Sequence, residues 1–266
     1  MSEHTIRYWQ TLTTDDITNL AEQDPVVILP LAATEQHGPH LPLSTDLQIG
    51  MGLLAEAFDH LPSNFPAWVL PPQAVGTSCE HIHFPGTLSL DPDVLGETIY
   101  QQGSAVAMCG MRRLVLSNSH GGNRQAMDIA GLRLREEHGL LVVKIHYFDF
   151  PPPEDVDLPD TEWRHGLHGG AIETAMMLHL HPELVRTGKV RNGHSLGEDL
   201  ERTLRRLRPE GAAAFSWLAS DLNLSGMAGD ARKADRKMGK HLVAYYGEVL
   251  ADVIQDAKAF PLERLV

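Results

Sequence analysis

Cysteine is nearly absent: of 266 residues only Cys79 and Cys109 carry a thiol. Two cysteines so far apart build neither a disulfide framework nor a cysteine-based zinc knuckle, so a reducing compartment, the cytoplasm, is expected. Basic residues are scarce as well. Lys plus Arg number 22 against 35 Asp plus Glu, and the net charge of −13 argues against nucleic acid or an anionic membrane surface as partner. No apolar run reaches membrane-spanning length, and the N-terminal residues lack the apolar core of a signal peptide. Also missing are Gly-x-Gly-x-x-Gly and a Walker-type Lys beside the glycines after His120, which disfavours nucleotide binding. A chain of this length can bury a large core, so a single domain over residues 1–266 is expected.

Histidine, by contrast, is abundant. There are fifteen, and His37, His40, His81, His83, His120, His165 and His168 crowd into loop-like, glycine-rich contexts. The densest stretch is 30–46. It follows the apolar, β-branched run Val26-Val-Ile-Leu29, which reads as a strand buried on both faces. Side chains two residues apart in extended chain point the same way, so Glu35 and His37 can converge on one point. Asp46 stands at the mouth of a helix carrying Leu47, Met51, Leu54, Ala55 and Phe58 at helical spacing. Taken alone it reads as an N-cap; with Glu35 and His37, between prolines and a glycine, it reads as a metal ligand.

The rest of the chain alternates strands and helices. Thr13 caps a first helix, Trp68-Val-Leu reads as a strand ended by prolines, and Asp91-Pro92 opens a helix carrying Leu95, Ile99 and Val106. Residues 113–120 form a third strand that delivers His120 ahead of Gly121-Gly122-Asn123. A helix with Met127, Ala130 and Leu134 on one face follows, then a fourth strand over 140–148. This order predicts an α/β fold, three layers α/β/α around a mainly parallel sheet, with functional loops at the carboxyl ends of the strands. Residues 151–167, proline-rich and acidic, read as an irregular connection that can border the site as a lid, with Trp163 a candidate to line a pocket. Beyond it, apolar residues occupy nearly every side of a helix starting near Ala171, which leaves Glu173 no free face. A carboxylate buried there must be neutralised, paired with a cation or bound to a metal. Glu198 to Arg208 reads as a charged, solvated helix, residues 225–230 as a turn that closes over the site or packs on a neighbour, and 237–254 as a terminal helix.

Collected together, Glu35, His37, Asp46, His120 and Glu173 are three carboxylates and two imidazoles, a set suited to Zn²⁺, Mn²⁺ or Fe²⁺ and poor for Ca²⁺. They exceed one catalytic zinc site, and a pair of ions bridged by Asp46 accounts for the number. His168 is the candidate for moving a proton to a leaving nitrogen, because imidazole is matched to proton transfer near neutrality. Its alternative is a helix-start histidine bonded to backbone.

Four stretches together resemble the creatininase, or creatinine amidohydrolase, family: Thr34-Glu-Gln-His-Gly-Pro-His-Leu-Pro-Leu43 with Asp46, residues 78–90, Asn118-Ser-His-Gly-Gly-Asn123, and His168-Gly-Gly-Ala-Ile-Glu-Thr174. Met227-Ala-Gly-Asp230 is similar to the family's C-terminal glycine-aspartate turn, with Ala231 where proline is usual. The resemblance implies a compact α/β fold, a homo-oligomer that is commonly a hexamer, and a two-metal centre cleaving a C–N bond of a small cyclic or linear amide. It implies that Glu35, Asp46 and His120 hold one ion and that His37, Asp46 and Glu173 hold the other. Ser78, Glu80 and His81, in the second motif, are candidates to contact substrate. Creatinine-cleaving members resemble Gly-His-Tyr-Glu-Asn in the third motif, whereas this chain has Gly122 in place of the acidic residue and no aromatic. That departure turns the expected substrate away from creatinine, towards formamide-type products of pyrimidine rings, modified peptides or sugar-derived rings. A metal-binding regulatory protein without turnover is the rival of another class.

Overall fold

The computed structural model describes residues 6–265. Helix α1 (Thr14–Ala21), closed by a capping box between Thr13 and Asp16, leads into strand β1 (Val26–Leu31). With β2 (Ala67–Val69), β3 (Arg113–Asn118) and β4 (Leu141–His146) it forms one sheet in the order β2-β1-β3-β4, parallel throughout. Parallel neighbours need crossover connections, supplied here by α2 (Thr45–His60), α3 (Pro92–Met108) and α4 (Arg124–His138). Asp91 caps α3 ahead of Pro92, and α4 ends on Gly139 at φ 68°, where the left-handed backbone favours glycine.

Alternation along the strands sorts the core into two layers. Val26, Ile28 and Val115 pack with Leu53, Leu54 and Phe58 of α2, with Ala175, Met176 and Met177 of α6 (Ala171–Leu180), and with Leu242, Tyr246, Leu250 and Ile254 of the long helix at 236–259. On the other side Val27, Leu29, Leu114 and Leu116 pack with Leu95 and Ile99 of α3 and Met127, Ala130 and Leu134 of α4. The three-layer α/β/α arrangement with a parallel sheet is therefore observed, and the carboxyl ends of β1 and β3 lie side by side.

Several elements differ from the sequence expectations. The 151–167 connection is not free: Val156 and Leu158 are buried in the core, and it contains the helix α5 (Asp160–His165). The charged helix is shorter, α7 (Leu196–Thr203), and ends before Arg205 because Leu204 turns extended. After the short α8 (Ala219–Leu222), the glycine-rich turn forms β6 (Gly229–Asp230), antiparallel to β5 (Asn192–Gly193). The terminal helix α9 (Arg236–Ala259) is capped by Asp235. Helix α6 is not enclosed on every side: its face at Glu173 opens to solvent, leaving that side chain 16% exposed.

Candidate metal centre

Two loops and two helix starts bring the site together. The chain leaving β1 carries Glu35 and His37, and α2 begins with Asp46 in its first turn while Ser44 takes the N-cap position. His120 follows the end of β3, and Glu173 sits in the first turn of α6. The five side chains converge. His37 Nε2 lies 3.0 Å from Asp46 Oδ1 and 3.8 Å from Glu173 Oε1, while His120 Nδ1 lies 3.3 Å from Glu35 Oε1 and 3.4 Å from Asp46 Oδ2. Asp46 thus turns one oxygen to each histidine.

Neighbouring carbonyls fix both rings. His37 Nδ1 is 3.1 Å from the Glu35 carbonyl and His120 Nε2 is 2.8 Å from that of Thr77. A carbonyl only accepts, so those nitrogens carry the hydrogens and the opposite nitrogens face the carboxylates. Asn118 and Asn123 hold the His120 turn: Asn118 Oδ1 accepts from His120 N and from Asn123 Nδ2, and Asn123 Oδ1 accepts from Thr77 N.

Charge crowding explains the titration of these candidate ligands. Burial works against the imidazolium at His37, but Asp46, Glu173 and Glu35 carry its pKa up to about 10; His120 reaches about 10 against the same burial through Glu35 and Asp46. Glu35 is held well below the ordinary carboxylate range, because His120, His81 and His168 outweigh its burial. Asp46 is pushed up by burial, and Glu173 up to about 7 by burial, with Asp46 adding to it. Both oxygens of Glu35 and Oδ2 of Asp46 are buried without a hydrogen-bond partner. Buried carboxylate oxygens are costly unless paired, and here they point into a gap lined by imidazole nitrogens, a donor set that fits divalent transition metals. Glu35 with His37 and His168, Glu35 with Glu80 and His120, and His37 with Asp46 and Glu173 each bring ligand atoms within 4.8 Å of one another.

The other candidates surround this centre. His168 is buried, with Nε2 donating to the Gln36 carbonyl and Nδ1 3.6 Å from Glu35 Oε1. Its ring lies between those of His37 and His81, centroids 4.1 and 4.2 Å away, and burial with those two histidines keeps its pKa well below the ordinary value. His81 is buried too, 3.5 Å from Glu35 Oε1, and its Nδ1 accepts from Gln36 Nε2, which also donates to Gly226 O. The 225–230 turn therefore closes on the site loop through Gln36. Glu80, 21% exposed, lies 3.9 Å from both His81 and His120, and Ser78 Oγ is 3.4 Å from His120 Nε2. Trp163 stands apart from these groups, half-buried on α5 against the core. Gln36, Asn118, Asn123 and the Thr77 carbonyl had no assigned role in the sequence reading; the only signal for them is their position inside the ligand-bearing motifs.

A parallel α/β sheet with a carboxylate–imidazole cleft at its carboxyl edge, of this composition, defines a metal-dependent hydrolase. The sequence model of the creatininase (creatinine amidohydrolase) family matches residues 10–254, and the chain belongs to that family. It is 33% identical over 247 residues to the mycofactocin precursor peptide peptidase of Mycolicibacterium smegmatis, covering 92% of this chain and 90% of the relative. To the creatinine amidohydrolase of Pseudomonas putida it is 31% identical over 188 residues, 64% of this chain and 70% of that one. A solved structure titled "Creatininase Mn" superposes with a TM-score of 0.77 at 26% identity, covering 97% of this chain and 100% of the other.

Proposed function

We propose that the chain is a two-metal amidohydrolase that cleaves an amide C–N bond of a modified precursor peptide rather than the ring of creatinine. The observation that carries the chemistry is the set of buried carboxylate oxygens without a hydrogen-bond partner, both of Glu35 and Oδ2 of Asp46, beside His37 and His120. Glu35, Asp46 and His120 would hold one divalent ion, and His37, Asp46 and Glu173 the other, with Zn, Mn and Fe all compatible with the donors. When bound, such a pair supplies an acidified water and a polarised scissile carbonyl. Asp46, which turns one oxygen to His37 and the other to His120, would be shared by both ions. Glu173 and Glu80 are the partly exposed groups of the cluster and mark the side from which substrate enters. His168 is neutral, its pKa held well below the ordinary value by burial and its Nε2 hydrogen given to the Gln36 carbonyl, so its bare Nδ1 would take a proton from the attacking water and hand it on to the leaving nitrogen. Glu80 borders the approach with Ser78 and His81 buried behind it, and Trp163 anchors the loop beside it.

Two observations support the peptide reading. Gly121 and Gly122 stand where creatinine-cleaving members carry an aromatic and an acidic residue, and the relative matching nine-tenths of the chain is named a precursor peptide peptidase. We further propose a homo-oligomer, a hexamer by family resemblance, working in the cytoplasm; no helix among the described residues is long and apolar enough to cross a membrane.

The decisive experiment is metal analysis of protein purified without added ions, followed by an amide panel of creatinine, a formamide-bearing pyrimidine and short peptides. Two ions per chain with cleavage of a peptide amide is the expected result, and turnover of creatinine alone overturns the substrate assignment. For His168→Asn the expectation is retained metal with a large loss of turnover; unchanged turnover returns His168 to a structural role.

A further inference from the structure

Glu162 is a carboxylate buried to 5% exposure, and among the described residues it makes no ion pair. Its oxygens are instead spent on backbone. Oε1 accepts from the amide of Ala171, the first residue of α6, and Oε2 from the amide of Asp230 in β6, each at 2.8 Å. The surroundings are shaped for it. A Cβ added at Gly166, Gly170 or Gly229 would stand 2.6, 2.6 or 2.7 Å from Oε1, so three glycines leave space for one oxygen atom. Burying a charge without a counter-ion is costly, and the positive end of α6 offsets only part of that cost.

The two segments so joined hold the two groups the chemistry needs. His168 exchanges both backbone hydrogen bonds with Ala228, two residues before Asp230. Glu173 lies two residues beyond Ala171, and its Oε2 accepts from Gly169 N at 2.6 Å, which leaves Oε1 directed at His37. The 168–173 turn is therefore set by the clamp that Glu162 makes between α6 and β6. We propose that Glu162 is a positioning residue that aligns Glu173, and with it the ion shared by His37, Asp46 and Glu173, while leaving the ion at Glu35 and His120 unaffected. This role rests on the two-ion reading of the site.

The test is metal titration of chelator-treated full-length protein, followed by calorimetry with Mn²⁺ and Zn²⁺, for wild type, Glu162→Gln, Glu173→Gln and the double variant. In Glu162→Gln one amide meets an NH₂ group instead of an acceptor. The expected result is affinity lowered roughly 10–100-fold at one of two sites and unchanged at the other. In the Glu173→Gln background the same change costs no further affinity. Glu162→Asp, which keeps the charge but shortens the reach, is the second variant should Gln fail to fold, and shows the same one-site loss. Equal weakening at both sites, no weakening, or additive losses in the double variant overturn the role of Glu162 alone. A wild-type chain that binds fewer than two ions overturns the two-ion reading and this role with it.

Discussion

His120 shows how a single side chain is prepared. Its Nε2–H is committed to the Thr77 carbonyl and Nδ1 faces two carboxylates, an orientation that Gly122 permits: a Cβ there would fall into the Thr77 carbonyl and reach 2.6 Å from His120 Nε2. Gly122→Ala is expected to weaken metal binding by roughly 10–100-fold, read by titration of the metal-free protein. Glu35→Gln removes a ligand outright, so metal and hydrolysis are lost together; an active, metal-replete variant would refute the assignment. Without metal, His37 and His120 keep their protons up to about pH 10, and each must lose one before it ligates. Affinity should therefore rise with pH across the neutral range, by up to about tenfold per unit for each proton displaced, with proton release visible by calorimetry in buffers of different ionisation enthalpy. Stability of the metal-free protein runs the other way. Both histidines bind protons more tightly folded than unfolded, so their contribution is complete below the unfolded value of 6.5 and fades as pH rises towards about 10. Glu173, raised from 4.5 to about 7, adds a loss in the same direction over its own interval. Denaturant unfolding of chelated protein at pH 6 and pH 9.5 checks the sign. The five residues of the proposed centre were legible as residue types, three after strand ends and two at helix starts. Glu162 was not, because its partners are amides of Ala171 and Asp230, which no side-chain pattern announces.

Among the elements, α6 bears the heaviest constraint, since it carries Glu173 at one end and packs against α9 along its length. The two helices approach closely at Gly239, where a Cβ would overlap the Ala175 carbonyl. Gly239→Ala is expected to cost about 1–3 kcal/mol by forcing the helices apart. A shift in denaturant midpoint measures it, and a parallel fall in metal affinity would show that the displacement reaches Glu173. The apolar periods of α2, α3 and α4 and the buried run of β1 were readable because each is set by local alternation against one sheet. The 151–167 segment was not: α5 is six residues long, and Val156 and Leu158 are buried by contacts with distant parts of the chain. Glu173 was misjudged for the opposite reason. Apolar neighbours around a helix imply enclosure only where another element covers each face, and the cleft leaves one face open.

For the molecule as a whole, bound metal should act as a stabilising ligand. Occupancy at about a hundred times Kd is worth about 2.7 kcal/mol per site, so chelation should lower the thermal midpoint and Mn²⁺ or Zn²⁺ should restore it. Scanning calorimetry at fixed protein concentration tests this. Glu35 and His37 follow the end of β1 and His120 follows the end of β3, and the pairing of these strands runs from Val26 opposite Arg113 to Leu31 opposite Asn118. A slip of one residue in that ladder would move His120 by about 3.3 Å relative to Glu35. Coordination tolerates about 0.2 Å. The backbone ladder is thus a ruler whose smallest division is far coarser than the tolerance of the bond it sets. Insertions in the far segments beyond β4 leave this measurement intact, whereas a single residue added between Leu31 and Glu35, or between Asn118 and His120, destroys it without touching a ligand.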